Sequence, residues 1–299
     1  MNADRVYSIG YRPITDRGHR QPPAWAIART MLTLAWRQRA TKMVLLLCLA
    51  VVGFHGVWLV GQLLFERFSG AQGGLGGAVE VSALVGQAQE VLASFLRAQF
   101  FTTAIALAVI AGGCVAEDRA AGAFDLYFAR PLTRRDYAFG KLWGAGLVPT
   151  ATIVGPVLLL WLTALGIATP ALRAELWWMA VPALGGGVLG AAVLTSTLVG
   201  LSSIGQKGRT VAVAYVAGLV VLSGIFEGLA AAGYDVAGYL APERDLRTVI
   251  DWLLEPQQSF AGQLGGGRAG PINGSALGSV IGLCGYITAG LALLAARLR

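Results

Sequence analysis

The sequence predicts an all-α integral membrane protein, six transmembrane helices behind an N-terminal amphipathic interface helix, and three observations carry that prediction. Of its 299 residues 56% are hydrophobic and only 13% charged, against about a quarter charged in soluble domains, which leaves too little polar surface to cover a globule in water. Six apolar runs, approximately 43–65, 98–116, 142–165, 177–201, 210–232 and 276–296, match the roughly 20 residues that carry a helix across about 30 Å of hydrocarbon. Barrel strands would be shorter and alternate in polarity. The Lys and Arg residues are divided 17 to 6 between the two sets of alternating connections, the asymmetry expected of cytoplasmic and outer loops.

Taken in order, residues 1–42 read as a cytoplasmic unit. Met1 to Gln21 are polar and Arg-rich without apolar periodicity, an irregular tail in which no cleavable signal peptide is expected. Past Pro22 and Pro23, Trp25, Ala28, Leu32, Ala35 and Trp36 recur at helical spacing while Arg29, Thr33 and Arg37 take other faces. That pattern suits a helix lying in the membrane interface, or else an extension of the first span. Residues 43–299 form the six-helix unit, with Pro149, Pro156 and Pro182 placed to kink the third and fourth spans. The charge asymmetry puts both termini in the cytoplasm and makes 117–141 the largest cytoplasmic loop. On the outer side lie 66–97 and 233–275, and in the second of these Leu246, Val249, Ile250, Leu253 and Leu254 keep the spacing of a short amphipathic helix closed by Pro256.

Several chemistries are excluded. The basic excess is absorbed by membrane topology, so no nucleic acid is expected as a partner. Cys48, Cys114 and Cys284 all fall in apolar runs, and with His19 and His55 as the two histidines no metal site or Ser-His-acid triad is legible. The glycine-rich GAQGGLGG and GGGRAG are not followed by the Lys-Ser/Thr of a phosphate loop, so the chain binds no ATP through a loop of its own. Two intramembrane ionisable groups remain, His55 midway along the first span and Glu227 near the outer end of the fifth. Each reads either as a satisfied structural group or as part of a substrate pathway, the second case describing an ion-coupled carrier or channel. Small residues four apart occur at Gly186 and Gly190, Gly224 and Gly228, and Gly274, Gly278 and Gly282, spacing that permits close helix contact.

The segment Glu117 to Lys141 mixes near-balanced charge with Phe124, Leu126, Tyr127 and Phe128, and Pro131 divides it into two short helical pieces, the second capped by Thr133. Such a helical hairpin reads either as a docking surface for a soluble protein or as an ordinary juxtamembrane loop. It resembles the first cytoplasmic loop of ABC-2 type permeases, the membrane subunits of ATP-binding-cassette transporters. The pattern is carried by Glu117, Gly122, Leu126, Arg130 with Pro131, Thr133 with Arg134, and Gly140 with Lys141. Ala123 stands where the family often has a small hydroxyl residue, and ARTMLTLAWRQR replaces its basic-Glu-Leu pattern in the interface helix. The resemblance implies a complex of two permease chains, here a homodimer, with two separate ATPase chains that bind ATP and Mg, in the inner membrane and open to accessory proteins. No cofactor would be bound by this chain. In that complex Glu117, Gly122, Leu126, Arg130, Pro131, Arg134, Gly140 and Lys141 would form the ATPase-coupling region, with Phe124, Tyr127 and Phe128 as apolar anchors. The resemblance covers both export and mechanical work.

Overall fold

The computed structural model describes residues 22–71, 81–128, 132–254 and 275–298, and every regular element among them is helical. Among the described residues six helices are long and apolar enough to cross a membrane, spanning Arg39–Phe65, Leu84–Ala120, Arg134–Ile167, Pro170–Ile204, Gly208–Ala231 and Ala276–Arg297. We call the side bearing the 116–134 connection and the C-terminus of the last helix the proximal face and the other side the distal face.

Helix α1, Pro23–Trp36, starts on a proline whose missing N–H costs nothing at that position. A two-residue break at Arg37 and Gln38 makes it a helix of its own before α2, Arg39–Ala71, the first span. Both Ala28 and Ala35 are buried, and Ala28 packs against α6, where Gly140 and Gly144 allow close approach: a Cβ on Gly144 would lie 3.1 Å from the Cα of Ala28. Trp25 and Trp36 stay exposed.

The second span, α3, runs Val81–Ala111, so that residues 81–97, expected as connection, continue the helix. Its polar residues had hidden it: Arg97 reaches Glu90 at 3.3 Å and Asp251 at 3.0 Å, and Leu92, Phe95 and Leu96 are buried. Two short helices follow on the proximal face, α4 Ala116–Ala120 and α5 Ala123–Phe128. The third span is broken into α6, Arg134–Pro149, a π-helical turn at Thr150–Val154, and α7, Gly155–Ile167. Pro149 and Pro156 flank that turn, each lacking the N–H that the regular ladder needs. Thr150 and Thr152 return their hydroxyls to the carbonyls of Gly146 and Val148, at 2.8 and 3.0 Å.

After α8, Pro170–Leu176, and a 3-10 turn comes α9, Ala180–Ile204, the fourth span, then α10, Gly208–Ala231, the fifth. On the distal face a 3-10 turn at Asp235–Leu240 leads into α11, Pro242–Leu254, and α12, Ala276–Arg297, is the sixth span. Spans two and four form the interior, each 61% buried over its most apolar window, against 17% for spans one and five. Helix α11 lays Leu246, Val249, Ile250 and Leu254 into this interior between α3, α9 and α12.

The glycine spacings divide by what meets them. Gly186 and Gly190 receive Ile250 and Leu246 of α11, and Gly278 and Gly282 receive the 235–240 turn and α11, whereas Gly224 and Gly228 meet nothing within 4 Å among the described residues. The tightest crossing was not among the spaced pairs: Gly200 of α9 lies backbone to backbone against Gly290 of α12, where a Cβ on either would enter the other helix's main chain. Without a hydrophobic drive between helices in lipid, such contact is what holds spans four and six together. Gly290→Ala is therefore expected to cost at least about 1–3 kcal/mol through overpacking and to lower the thermal midpoint of the detergent-purified chain. The same change at Gly285, where nothing among the described residues lies within 4 Å, leaves the midpoint unchanged; equal midpoints for the two variants would refute the crossing.

Candidate functional site

The proximal end of the second span is where four helices meet. The chain leaves α3 at Ala111, turns through 112–115 and re-enters helix at Ala116. That turn is organised by one side chain of the fourth span: the hydroxyl of Ser202 donates to Gly112 O at 2.9 Å and accepts from Val115 N at 3.1 Å and Ala116 N at 3.2 Å. Ser202 is fully buried, so a break in the ladder that water cannot satisfy is satisfied from a neighbouring helix.

Three consecutive residues follow, and successive side chains on a helix project about 100° apart. Glu117 turns toward the fifth span, where a Cβ on Gly208 would lie 2.5 Å from its Oε1 and 2.8 Å from the Cα of Gly113. Its carboxylate thus sits at the first residue of the 24-residue α10, the positive end of that helix. Asp118 turns toward the third span: its Oδ2 meets Lys141 Nζ at 2.6 Å and accepts from Tyr137 OH at 2.8 Å. The Lys141 side chain is 9% exposed and that of Asp118 20%, so the pair is largely shielded from water. Arg119 turns toward the end of the fourth span and donates to the carbonyls of Ser203, Ile204 and Gly205 at 2.8, 2.9 and 3.0 Å. Those are orphan carbonyls at a helix C-terminus, where a cation is also favoured by the dipole.

The rest of the connection packs onto this junction. Gly122 takes φ 64, which lets α4 end in a tight turn into α5. Phe124 and Tyr127 lie against the ring of Tyr137, centroids at 5.4 and 5.8 Å, so these aromatics serve the chain's own packing. Thr133 caps α6 in a reciprocal box with Asp136, its Oγ1 accepting from Asp136 N at 3.1 Å. The expected second short helix is instead the first turn of the third span. Gly140 leaves room for α1, with Ala24 O and Ile27 Cβ both 2.9 Å from where its Cβ would stand. Residues 129–131, with Arg130 and Pro131, and the side chains of Leu126 and Phe128 lie outside the described residues.

Arg134, Arg135, Lys207 and Arg209 are exposed around the junction, giving the proximal face a cationic rim. Beside it a cleft of about 1100 Å3 opens between α1, the end of α3 and the start of α10, with apolar walls such as Met31, Val109 and Ala212 and charges from Glu117, Lys141 and Arg209.

Residues 25–297 match the family model described as ABC-2 family transporter protein. The chain belongs to the ABC-2 transporter family. A search among curated proteins finds no match. Membership makes this chain a multi-pass membrane protein and the permease of an ABC transporter.

Among the residues that suggested an ABC-2 permease, the fold brings Glu117, Gly122, Gly140 and Lys141 to one junction, with Arg134 exposed at the start of the third span. It does not gather His55 or Glu227 there. His55 is 5% exposed on α2, its Nδ1 2.9 Å from Val51 O and its ring 5.5 Å from that of Phe95, while Glu227 is half-buried on α10. Ser202, Tyr137, Asp118 and Arg119 belong to the junction without having stood out in the sequence. The signal for two of them was present: three adjacent charged residues at the end of an apolar run must point in three directions.

Asp118→Asn leaves the Lys141 ammonium shielded and without its counter-ion, an expected cost of about 3 kcal/mol, the low end for breaking a buried pair. Adding Lys141→Met removes the stranded charge and should recover part of the loss in a double-mutant cycle of thermal midpoints. Additive losses would show that the two side chains do not interact.

Proposed function

We propose that this permease is driven by a separate ATPase subunit, two copies of which dock on the proximal face of a permease homodimer, with that face and both termini in the cytoplasm of a cell bounded by its inner membrane. The observation that carries the reading is the junction at Glu117, Asp118 and Arg119, which ties one cytoplasmic connection to the ends of spans five, three and four. A push on the 116–134 connection cannot be absorbed locally, because each tie hands it to a different helix. The cationic rim of Arg134, Arg135, Lys207 and Arg209 supplies charge complementary to an acidic groove on the partner. ATP and Mg belong to the partner, and this chain contributes a docking surface and a transmission.

Closure of the ATPase pair would tilt the second and third spans together, since Asp118 and Lys141 bind them side to side, and the cleft beside them, walled by the same Glu117 and Lys141, would change shape with that tilt. The conversion of ATP energy into export or mechanical work then needs no catalytic group in the permease.

Co-expression with the candidate ATPase tests the reading. Charge reversal at exposed positions, Arg135→Glu with Lys207→Glu, should weaken co-purification at least about tenfold, as loss of charge-assisted contacts does, while the thermal midpoint of the permease alone is kept. Arg119→Ala should leave the complex assembled and lower its transport per ATP hydrolysed. Unchanged assembly and turnover in all of these variants would sink the coupling assignment.

A further inference from the structure

On the distal face, α11 carries a carboxylate where a hydrophobe would be expected. Asp245 is 1% exposed, one turn into the helix, and its Oδ2 has no hydrogen-bond partner among the described residues. The Ser279 hydroxyl of the sixth span lies beside the carboxyl and favours its anion. On the same span a Cβ at Gly282 would collide with Asp245 Oδ2 and stand 2.6 Å from the carbonyl oxygen of Tyr239. Two acceptor oxygens, one from α11 and one from the 235–240 turn, therefore converge on one glycine of α12, and the described residues supply no donor to the first of them.

The charged groups around it do not neutralise it. On α11 itself the guanidinium of Arg244 is packed against Gly238. The Tyr239 hydroxyl of the preceding turn accepts from Ser275 N at 2.9 Å, and the Tyr286 hydroxyl of α12 donates to Leu240 O at 2.5 Å. From α3, Arg97 and Glu90 engage Asp251 further along α11, and α9 presents Gly186 and Gly190 to Ile250 and Leu246. Among the described residues no cation forms an ion pair with Asp245.

We propose that Asp245 is a proton-binding site that locks α11 onto the sixth span: with a proton on Oδ2 the carboxyl donates toward the Tyr239 carbonyl, and on losing it the buried anion opposes that carbonyl and loosens the contact. The bookkeeping is one proton taken from, or released to, the solvent of the distal side, with no other bond made or broken. Burial favours the neutral form and outweighs the Ser279 hydroxyl and the Arg244 charge, pushing the carboxyl up to about 6 from an ordinary 3.8. Because the folded state then holds the proton more tightly than the unfolded chain, its stabilising contribution is complete below about pH 3.8 and is lost as the pH rises through about 6. Acidity on the distal side thus fastens α11 between α3, α9 and α12, and neutrality frees it.

The full-length chain in lipid nanodiscs, followed by infrared spectroscopy and thermal unfolding between about pH 5 and 8, tests this. Expected are a protonated-carboxyl band that disappears with a midpoint about 6 and is missing in Asp245→Asn, and a thermal midpoint that falls with rising pH in the wild type and much less in the variant. Ser279→Ala, which keeps the carboxyl but removes the hydroxyl that favours its anion, should move the titration upward, and it carries the test alone if Asp245→Asn does not fold. An unchanged band in Asp245→Asn, the same thermal pH profile in both chains, or no shift in Ser279→Ala overturns the proposal.

Discussion

A bilayer offers no hydrogen-bond partner, and that constraint is concentrated where the second span ends. The ladder of α3 stops at Ala111 and resumes at Ala116, and the groups left between would be costly in a nonpolar surround. Ser202 resolves this by presenting one hydroxyl to a carbonyl and two amides. Once the fourth span is committed to that task, the positions of the next three residues follow. Glu117, Asp118 and Arg119 leave the turn at fixed angles, and each finds the terminus or flank of a different helix. The arrangement of spans three, four and five on this face is thus anchored to a single interruption in span two.

Much of the architecture was legible because it depends on averages over many residues. Six spans, the separate helix after Pro23 and the amphipathic α11 all follow from apolar length, proline placement and periodicity, which single substitutions barely disturb. The start of α3 was not legible, because Glu90 and Arg97 look like connection until Asp251, far along the chain, is known to face them. Within the junction, Glu117, Gly140 and Lys141 were read as facing a partner, and the fold also gives each an internal neighbour: the start of α10, helix α1 and Asp118. Phe124 and Tyr127 likewise turn to Tyr137. Sequence pattern flags a residue as unusual, but whether it serves a partner or its own chain depends on contacts that only the folded topology brings together.

The glycines make the same point in another way. Spacing of four was equally regular at Gly186 and Gly190 and at Gly224 and Gly228, yet only the first pair receives side chains. The closest crossing, Gly200 on Gly290, joins lone glycines ninety positions apart, and nothing in either helix alone marks them. Close approach is a property of two surfaces, so a one-dimensional pattern can show that contact is permitted without showing that it occurs.

The π-helical turn in the third span bears on how force would travel through it. Thr152, inside that turn, shares a buried hydrogen bond of 2.9 Å with Thr103 of α3, so the weak point of the third span is pinned to the interior one. At a rise of 1.5 Å per residue, the 16 residues of α6 make an arm of about 24 Å on one side of that pin and the 13 of α7 an arm of about 20 Å on the other. The third span is in this sense a seesaw of nearly equal arms, with its fulcrum bolted to the protein's centre. Lys141 and the α1 contact load one end, and the π turn is where the beam can bend without breaking its ladder.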